Sequence, residues 1–355
     1  DLLMKTTIAS SSGYSYQYRN MGQTSNKGVE LQLDAVLVDA KDFGLNFNFN
    51  ISYNRGKIDK LNGSSFWQSS SWAGTAAAGI EDFLVEEGGR LGEVYGYRTD
   101  GFYTADDFTF DAEKGTYALK AGVNDCSSLI GGKVYPGSIK LKANEEGEYK
   151  KERLGNTVPT VSGGFGLNAR WKGFDFTAFF NYSLGNKIVN ATKLGSSFYS
   201  GSSKNWNIND HFTSSNRYSW IDPSTGTNLL SSASIKANGE AWTINRLNEV
   251  NTGSSIWNPA AATVMPLVDW AVEDGSFLRV NNITIGYTLP KLLVNKLNIQ
   301  NIRIYVTGYN LHCFTKYSGT DPEVDCCTST PMTPGIDYAA YPKSRSFVGG
   351  INVTF

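Results

Sequence analysis

Strict alternation of apolar and polar residues is the feature that most constrains how this chain can fold. The segment from Phe43 to Asn54 runs FGLNFNFNISYN, so that every second residue is apolar and the residues between are Gly, Asn or Ser. A period of two places successive side chains on opposite sides of an extended backbone. The pattern therefore predicts a β-strand with one apolar face and one polar, uncharged face.

Six other segments repeat this period. Four of the seven segments are predicted to form two hairpins, through the short connections Asp39–Asp42 and Lys172–Gly173. A phase change at Asn281–Asn282 predicts a β-bulge in a later strand. With the first segment they make seven predicted strands, the six others being residues 28–38, 164–171, 174–184, 276–290, 302–310 and 345–355.

The connections between these strands are strongly unequal in length. Three are short, whereas three others are long: Arg55–Thr160, Gly185–Gly275 and His312–Ser344. Compact soluble domains seldom contain loops beyond about 15 residues, but outer-membrane barrels combine short periplasmic turns with long extracellular loops. We therefore predict an all-β fold, a transmembrane antiparallel β-barrel with long extracellular loops. The alternative is a soluble β-sandwich, for which turns every ~8–12 residues would be expected.

Charge and hydropathy exclude other classes. Lys and Arg number 32 and Asp and Glu 33, without basic clusters, so nucleic-acid binding has no support. No stretch reaches the 18 or more apolar residues typical of a transmembrane helix. The first residues, DLLMKTT, lack an initiator Met and the pattern of a signal peptide, which suggests that the natural chain starts upstream.

Several motifs together resemble the SusC/RagA group of TonB-dependent outer-membrane transporters. The similarity extends over most of the chain, in the order expected for that group. The segments that carry it are NMGQTSNKGVELQL (Asn20–Leu33), YGYRTDGFY (Tyr95–Tyr103), LGNTVPTVSGGFGLNARWKGFDFTAFFNYSLGN (Leu154–Asn186), VEDGSFLRVNNITIGYTLP (Val272–Pro290), LHCFTKYSGTDPEV (Leu311–Val324) and YPKSRSFVGGINVTF (Tyr341–Phe355).

The resemblance implies a larger structure than seven strands can close. Such transporters are plugged barrels of about 22 strands, and an open barrel would expose unpaired backbone groups to lipid. We therefore expect residues 1–355 to be the C-terminal part of the barrel, with the plug, the TonB-binding segment and the remaining strands elsewhere. The resemblance also implies that Phe355 is a barrel-assembly signal; the alternative is an anchor at the periplasmic interface.

Aromatic residues in the long connections are the candidate substrate-binding groups. Flat rings beside Asn, Ser and Asp suit sugar faces or peptide side chains, although packing of the loops on one another is the alternative for any single ring. The candidates are Trp67, Trp72, Tyr95, Tyr97, Trp206, Trp220 and Trp242. As the resemblance implies, a SusD-like surface lipoprotein would close the cavity that these loops form.

Enzymatic chemistry has little support in the sequence. The two histidines, His211 and His312, lie in no spacing typical of a metal site or a nucleophile–base pair. Carboxylates in Thr104–Phe108 and Thr320–Val324 could bind a structural Ca²⁺, but we expect them to form caps and turns. No other cofactor is expected.

The sequence thus predicts a non-enzymatic importer in the outer membrane of a Gram-negative, Bacteroidetes-like bacterium. It would carry a glycan fragment or an oligopeptide, and TonB would supply the energy. The alternative is a passive porin-like or adhesive barrel. The sequence leaves glycan and peptide equally open as substrates.

Overall fold

An antiparallel sheet of eight strands forms the main body of the molecule. The computed structural model describes residues 2–7, 9–63, 65–68, 81–199, 207–294, 299–323, 325–326 and 332–355. Each strand of the sheet pairs with the next one along the chain, so the topology is a simple meander. The strands are β1 (Leu2–Thr7), β2 (Tyr16–Asp39), β3 (Phe43–Leu61), β4 (Val161–Trp171), β5 (Phe174–Leu184), β6 (Phe277–Thr288), β7 (Asn301–Thr315) and β8 (Ser346–Thr354).

The predicted hairpins and bulge are confirmed. β2 ends at Asp39 and β3 begins at Phe43. Lys172 and Gly173 join β4 to β5 with φ values of 45° and 90°, as a two-residue turn with both central residues left-handed requires. In the β5–β6 pairing, Phe180 lies opposite Val280 and Phe179 opposite Asn282, so Asn281 is the extra residue of a bulge that brings the apolar residues on both sides of it to one face.

Register makes one face of the sheet continuously apolar and the other polar. Phe49 pairs with Phe165, and Phe165 pairs with Phe180, whose ring stacks on it at 4.7 Å. One residue further along, Asn50 pairs with Gly164 and Gly164 with Asn181. Because side chains alternate, these two rows lie on opposite faces.

The apolar face has the height of a membrane core. β4 and β5 have 11 residues each, and a rise of about 3.3 Å per residue at a tilt of about 40° spans about 28 Å, near the ~25 Å band of outer-membrane barrels. At the end with the short turns an aromatic row crosses four strands: Phe43 pairs with Trp171, Trp171 with Phe174, and Phe174 with Tyr287. Such a row is typical of an interfacial girdle.

Three strands extend at least five residues beyond their predicted bounds. β3 continues to Leu61, beyond the predicted end at Asn54, β7 continues to Thr315, and β2 begins at Tyr16. β1 is an eighth strand that the prediction did not count. The apolar alternation is lost after Tyr53, where Arg55 and Lys57 replace apolar residues. Above the membrane a strand has no lipid contact to select apolar side chains, so pattern alone underestimates its length.

The long connections fold into a compact region with its own hydrophobic core. Buried residues of the first two segments, such as Phe108, Ile139, Leu194 and Leu267, share one cluster with Ile336 of the third. Among the described helices, none is long and apolar enough to cross a membrane. The helices are α1 (Ser127–Ile130), α2 (Ala191–Gly195), α3 (Ser232–Val250) and α4 (Lys291–Val294), together with the short 3₁₀ turns Ser10–Ser12, Ala105–Asp107, Pro259–Ala261 and Asp269–Ala271.

Small sheets cross-link this loop region. Residues Val272–Asp274 pair with Lys187–Asn190, which also pairs with Ile336–Asp337, so one small sheet joins the second and third segments. The other strands of the region are Phe66–Gln68, Phe83–Val85, Glu93–Gly96, Thr99–Phe102, Phe108–Asp111, Thr116–Leu119, Ile139–Leu141 and Glu152–Asn156. Helix α3 begins at an N-cap, Ser231, whose side chain accepts from Ser234 N–H, and it breaks at Gly239, where φ is 79°.

Candidate functional site

A cavity of about 580 Å³ lies where the polar face of the sheet meets the loop region. Its floor comes from the loop-side ends of β3, β4, β5 and β6, and its rim comes from the loops. Strand pairing brings these residues together, although β3 and β4 are about a hundred residues apart in the sequence. The lining comprises Asn50, Pro159, Ser162, Gly163, Gly164, Phe179, Asn181, Tyr182, Ser183, Asn186, Phe277, Pro322 and Glu323.

Small residues on β4 shape the floor. A Cβ on Gly164 would lie 2.9 Å from the Phe179 ring, so glycine lets that ring cover the strand. Asn50 Oδ1 accepts a hydrogen bond from Gly164 N–H at 3.0 Å. On the other face, Tyr182 crosses Gly163 to donate to the Asn50 carbonyl at 2.9 Å. The floor is therefore a polar surface held in place by backbone contacts, with one aromatic ring on it.

Two amide oxygens at the cavity lack a hydrogen-bond donor. Asn181 Oδ1 and Asn186 Oδ1 are buried, and neither has a partner within the described part of the chain. Asn186 is only 7% exposed. A buried acceptor without a partner costs about 1–3 kcal/mol. The wall of the cavity thus holds two acceptors that no described protein group satisfies.

A buried arginine ties the rim to the wall. Arg279 on β6 donates from Nη2 to Asp321 and from Nε to Glu323, both at 2.6 Å. Lys343 Nζ also lies 2.8 Å from Glu323. The carboxylates of Thr320–Val324 therefore neutralise a wall arginine, and this contact fixes the rim of the cavity.

The carboxylates of the Thr104–Phe108 segment also have protein partners. Asp107 accepts from the Thr104 N–H at 2.8 Å and closes a capping box, and Asp106 accepts from Asn248 at 2.9 Å. The Asp107 contact is the kind of cap that the sequence predicts, and the Asp106 contact links this turn to α3. No group of three or more metal-ligating side chains occurs among residues for which coordinates are described.

A buried cation and a carboxylate join the second and third loop segments. Glu273 lies 3.2 Å from Lys193 Nζ and accepts from Ser318 Oγ at 2.7 Å and from Ser318 N–H at 2.8 Å. Burial alone would raise the pKa of Glu273, but the hydrogen bonds from Ser318 and the charge of Lys193 outweigh it and hold the pKa below its usual range. The carboxylate is therefore ionised near neutral pH.

Two predicted binding aromatics lie together. Trp67 and Tyr95 make an edge-to-face contact with centroids 5.5 Å apart, and Lys151 Nζ lies 4.8 Å from the Trp67 ring. Trp67 is 37% exposed, so part of its ring is open to a ligand. This pair is separate from the 580 Å³ cavity.

The remaining predicted aromatics have different surroundings. Trp220 packs on Tyr135 at 5.6 Å and donates from Nε1 to the Pro136 carbonyl, and Tyr97 packs against the loop core. Trp242 is 43% exposed on α3. Trp72 and Trp206 lie outside the described residues. Substrate contact by this set stays a prediction.

Phe355, the predicted assembly signal, follows the last residue of β8 and is 81% exposed. Its role stays a prediction too.

The sequence did not predict four residues of the cavity or its rim, namely Phe179, Asn186, Arg279 and Glu323. Phe179 did carry a signal, because it is an apolar residue on the otherwise polar side of β5.

Comparison with known proteins identifies relatives along the whole chain. It is 29% identical over 361 residues to TonB-dependent receptor P3 of Formosa agariphila, which covers all of this chain and 31% of that receptor. It is 24% identical over 367 residues to TonB-dependent receptor SusC of Bacteroides thetaiotaomicron, covering all of this chain and 29% of SusC. No protein-family model matches the chain.

Solved structures show the same fold. The RagAB peptide transporter matches with a TM-score of 0.60 and 22% identity, over all of this chain and 32% of the matched chain. The RagAB peptide importer in its 'open-open' state matches with a TM-score of 0.61 and 21% identity, over all of this chain and 31% of the matched chain. The chain thus spans about a third of the length of the relatives that it matches.

Proposed function

We propose that this chain, which is similar in sequence and fold to TonB-dependent receptors of the SusC/RagA group, forms part of the wall and outer loops of an active outer-membrane importer. Its cargo would be a polar oligomer, a glycan fragment or an oligopeptide. The chain would bind and pass this cargo without covalent change. One observation carries the proposal: the polar face of a membrane-height sheet holds a cavity with two unpartnered amide oxygens.

The different chemistry of the two faces of the sheet supports this proposal. The apolar face is suited to lipid along its whole height, so a polar cargo has to pass along the opposite face. That face carries Asn46, Asn48 and Asn50 on β3 and Asn168 on β4. Amide groups both donate and accept, and can therefore exchange hydrogen bonds with successive units of a moving oligomer.

The cavity supports an oligomer of modest size. Its volume of about 580 Å³ is within the range of about 300–1,000 Å³ for small-molecule sites. Phe179 and Phe277 supply apolar surface beside the acceptors Asn181, Asn186 and Ser183. A sugar ring and a peptide side chain both match this combination.

Partner proteins would supply the energy for transport and would close the cavity from outside. TonB would act through the receptor's plug, and a SusD-like lipoprotein would cover the loops from outside, as the likeness to SusC and to RagAB suggests. The folded loop region offers a firm docking base, because its core and its small sheets hold the three segments together. Trp67 and Tyr95 would then contact either the cargo or the lid.

Binding to the purified full-length receptor tests the site. The double variant Asn181→Leu and Asn186→Leu keeps side-chain size and removes both acceptors, whereas Asn62→Leu makes the same change at an exposed residue outside the cavity. We expect the double variant to weaken binding of the receptor's oligosaccharide or oligopeptide about tenfold or more, and Asn62→Leu to change it little. Equal affinities in all three proteins would refute the assignment of this cavity.

A further inference from the structure

One apolar ring interrupts the polar row of β5. Phe179 lies between Thr177 and Asn181 on the side of that strand that faces the 580 Å³ cavity. Its partners across the sheet, Gly166 on β4 and Asn282 on β6, belong to the same polar face. An aromatic ring that faces water is stabilised when an apolar surface covers it, so this position is suited to a ligand with an apolar side.

Glycine on the next strand lets the Phe179 ring lie across the sheet. A Cβ on Gly164 would lie 2.9 Å from Cζ and 3.2 Å from Cε2 of the ring, so a larger residue there would push the ring away. Among the residues with described coordinates, no other aromatic ring contacts Phe179. Its neighbour on the apolar face, Phe180, instead stacks on Phe165 at 4.7 Å. Phe179 therefore lines the cavity as a single, partly exposed ring.

Polar groups follow this ring at regular steps toward the loops. Asn181 and Ser183 lie on the same side of β5 as Phe179, each about 6.6 Å beyond the residue before it. Ser162 pairs with Ser183 and brings a second hydroxyl group to that level of the cavity. Amide and hydroxyl groups both donate and accept hydrogen bonds. A flat group that lies on Phe179 would therefore have hydrogen-bonding partners along its edge.

Charge at the cavity is compensated within the protein. Among the described residues that line it, only Glu323 is charged. This carboxylate accepts from Arg279 at 2.6 Å and lies 2.8 Å from Lys343, and Arg279 also binds Asp321, so the two cations and two carboxylates balance. A peptide with charged ends or side chains would lose solvation here without gaining a counter-charge, which is costly. The lining therefore favours an uncharged cargo.

We propose that Phe179 selects the cargo by stacking on the C–H face of a neutral pyranose ring, while Asn181 and Asn186 bind the hydroxyl groups of that sugar. This inference rests on the proposed import function, since it names the cargo at the same cavity as a neutral glycan fragment. A pyranose combines an apolar C–H face with several hydroxyl groups at its edge. The aromatic side chain of a peptide could also stack on Phe179, but Phe or Tyr offers at most one hydroxyl group to the polar residues beside it.

Uncharged hexamers test the cargo on the purified full-length receptor. The glycan probes are linear hexamers of β-1,4-glucan, α-1,4-glucan and β-1,4-mannan, and the peptide probe is an acetylated and amidated hexapeptide of Gly, Ser and Phe. We expect at least one glycan hexamer to bind at least tenfold more tightly than the peptide. Its affinity should stay constant as NaCl is raised, because no charge of the cargo takes part.

Phe179→Leu tests the ring itself. This variant keeps an apolar side chain without the flat surface and should weaken binding of the preferred hexamer about tenfold, whereas Phe179→Trp keeps a ring and should retain binding. Phe180→Leu makes the same change one residue away on the apolar face and should have no effect. Saturation-transfer NMR should show the strongest protein contacts at the C–H protons of the sugar in the wild type, and Phe179→Leu should lose this pattern.

Each failure has a separate meaning. Equal affinity of the wild type and Phe179→Leu for the preferred hexamer, or the same NMR contact pattern in both, overturns the role of the ring and assigns it to packing within the receptor. Tighter binding of the peptide than of every glycan, or no binding of any glycan, overturns the neutral glycan as cargo. A peptide that binds through Asn181 and Asn186 would leave the import proposal standing. Heat-modifiable gel migration, which reports a folded barrel, ensures that each variant is compared in its folded state.

Discussion

Arg279 Nη2 and Asp321 Oδ1 lie 2.6 Å apart, with both side chains almost fully buried, at the contact between the sheet and the third loop segment. Glu323 accepts a second bond from the same guanidinium at Nε. Breaking one partner of a buried ion pair leaves a charge without full compensation. The position of the cavity rim should therefore depend strongly on this contact.

Asp321→Asn tests that dependence. The change should destabilise the docked segment by about 3 kcal/mol, because Arg279 stays buried with only Glu323 beside it. Hydrogen exchange of residues 316–323 and 332–343 should rise sharply, while the strands of the sheet keep their protection. Glu249→Gln, which removes an exposed partner of Arg246, is the control and should leave exchange unchanged. Unaltered exchange in Asp321→Asn would show that the rim is held by other contacts.

Phe47→Arg tests which face of the sheet meets lipid. A cation near the middle of the apolar band should cost about 2–4 kcal/mol, whereas one on the polar face costs much less. We expect Phe47→Arg to lower the folded fraction of the full-length receptor in unfolding titrations, and Asn46→Arg, one residue away on the other face, to have a small effect. The opposite ranking would mean that the faces are reversed.

Surface labelling of intact cells tests which end of the sheet is extracellular. A short peptide tag at Glu146, in the exposed turn of the first loop segment, should bind antibody without permeabilisation. The same tag at Lys41, in the β2–β3 turn, should become accessible only after the outer membrane is opened. If the Lys41 tag alone were labelled on intact cells, the orientation would be inverted.

Low pH should weaken the Arg246–Asp222 ion pair, which anchors helix α3. Arg246 donates to Asp222 from Nε at 2.7 Å and from Nη2 at 2.8 Å, and Ser224 donates at 2.6 Å. Arg246 first, and then Ser224, hold the pKa of Asp222 far below its usual range. A lowered pKa in the folded state contributes stability above the unfolded value of about 4, and this stability is lost as pH falls below it.

The measurement for this anchor is hydrogen exchange of α3 at pH values from 6 down to 3. Protection should fall with pH in the wild type. Asp222→Asn should start less protected and lose the acid-dependent part, while Asp210→Asn, a change at an exposed carboxylate, should behave like wild type. If Asp222→Asn lost protection with falling pH as the wild type does, titration of groups other than Asp222 would be responsible for that loss.

Much of the sheet follows from pattern, because lipid on one face and water on the other impose a period of two. Phe43–Tyr53, the Lys172–Gly173 turn and the bulge near Asn281 could all be predicted in this way. The fold of the loop region could not be predicted from the sequence pattern. Its core joins residues far apart in the chain, such as Phe108, Leu194 and Ile336, without any short period.

The candidate site divides along the same boundary. The polar side of β3 and β5, including Asn50 and Asn181, follows from alternation. Asn186 and the Arg279–Glu323 contact depend on how a loop lies over the wall, and local sequence does not encode that placement.

Energised uptake by intact cells tests the central claim most directly. Cells that lack the receptor would be complemented with the full-length wild type or with the Asn181→Leu and Asn186→Leu double variant, and uptake of a labelled oligomer would be measured with and without a protonophore. We predict rapid uptake by the wild type that the protonophore abolishes, and strongly reduced uptake by the double variant at equal surface levels. Uptake that persists after collapse of the proton gradient, or that is equal in the two receptors, would contradict active import along this wall.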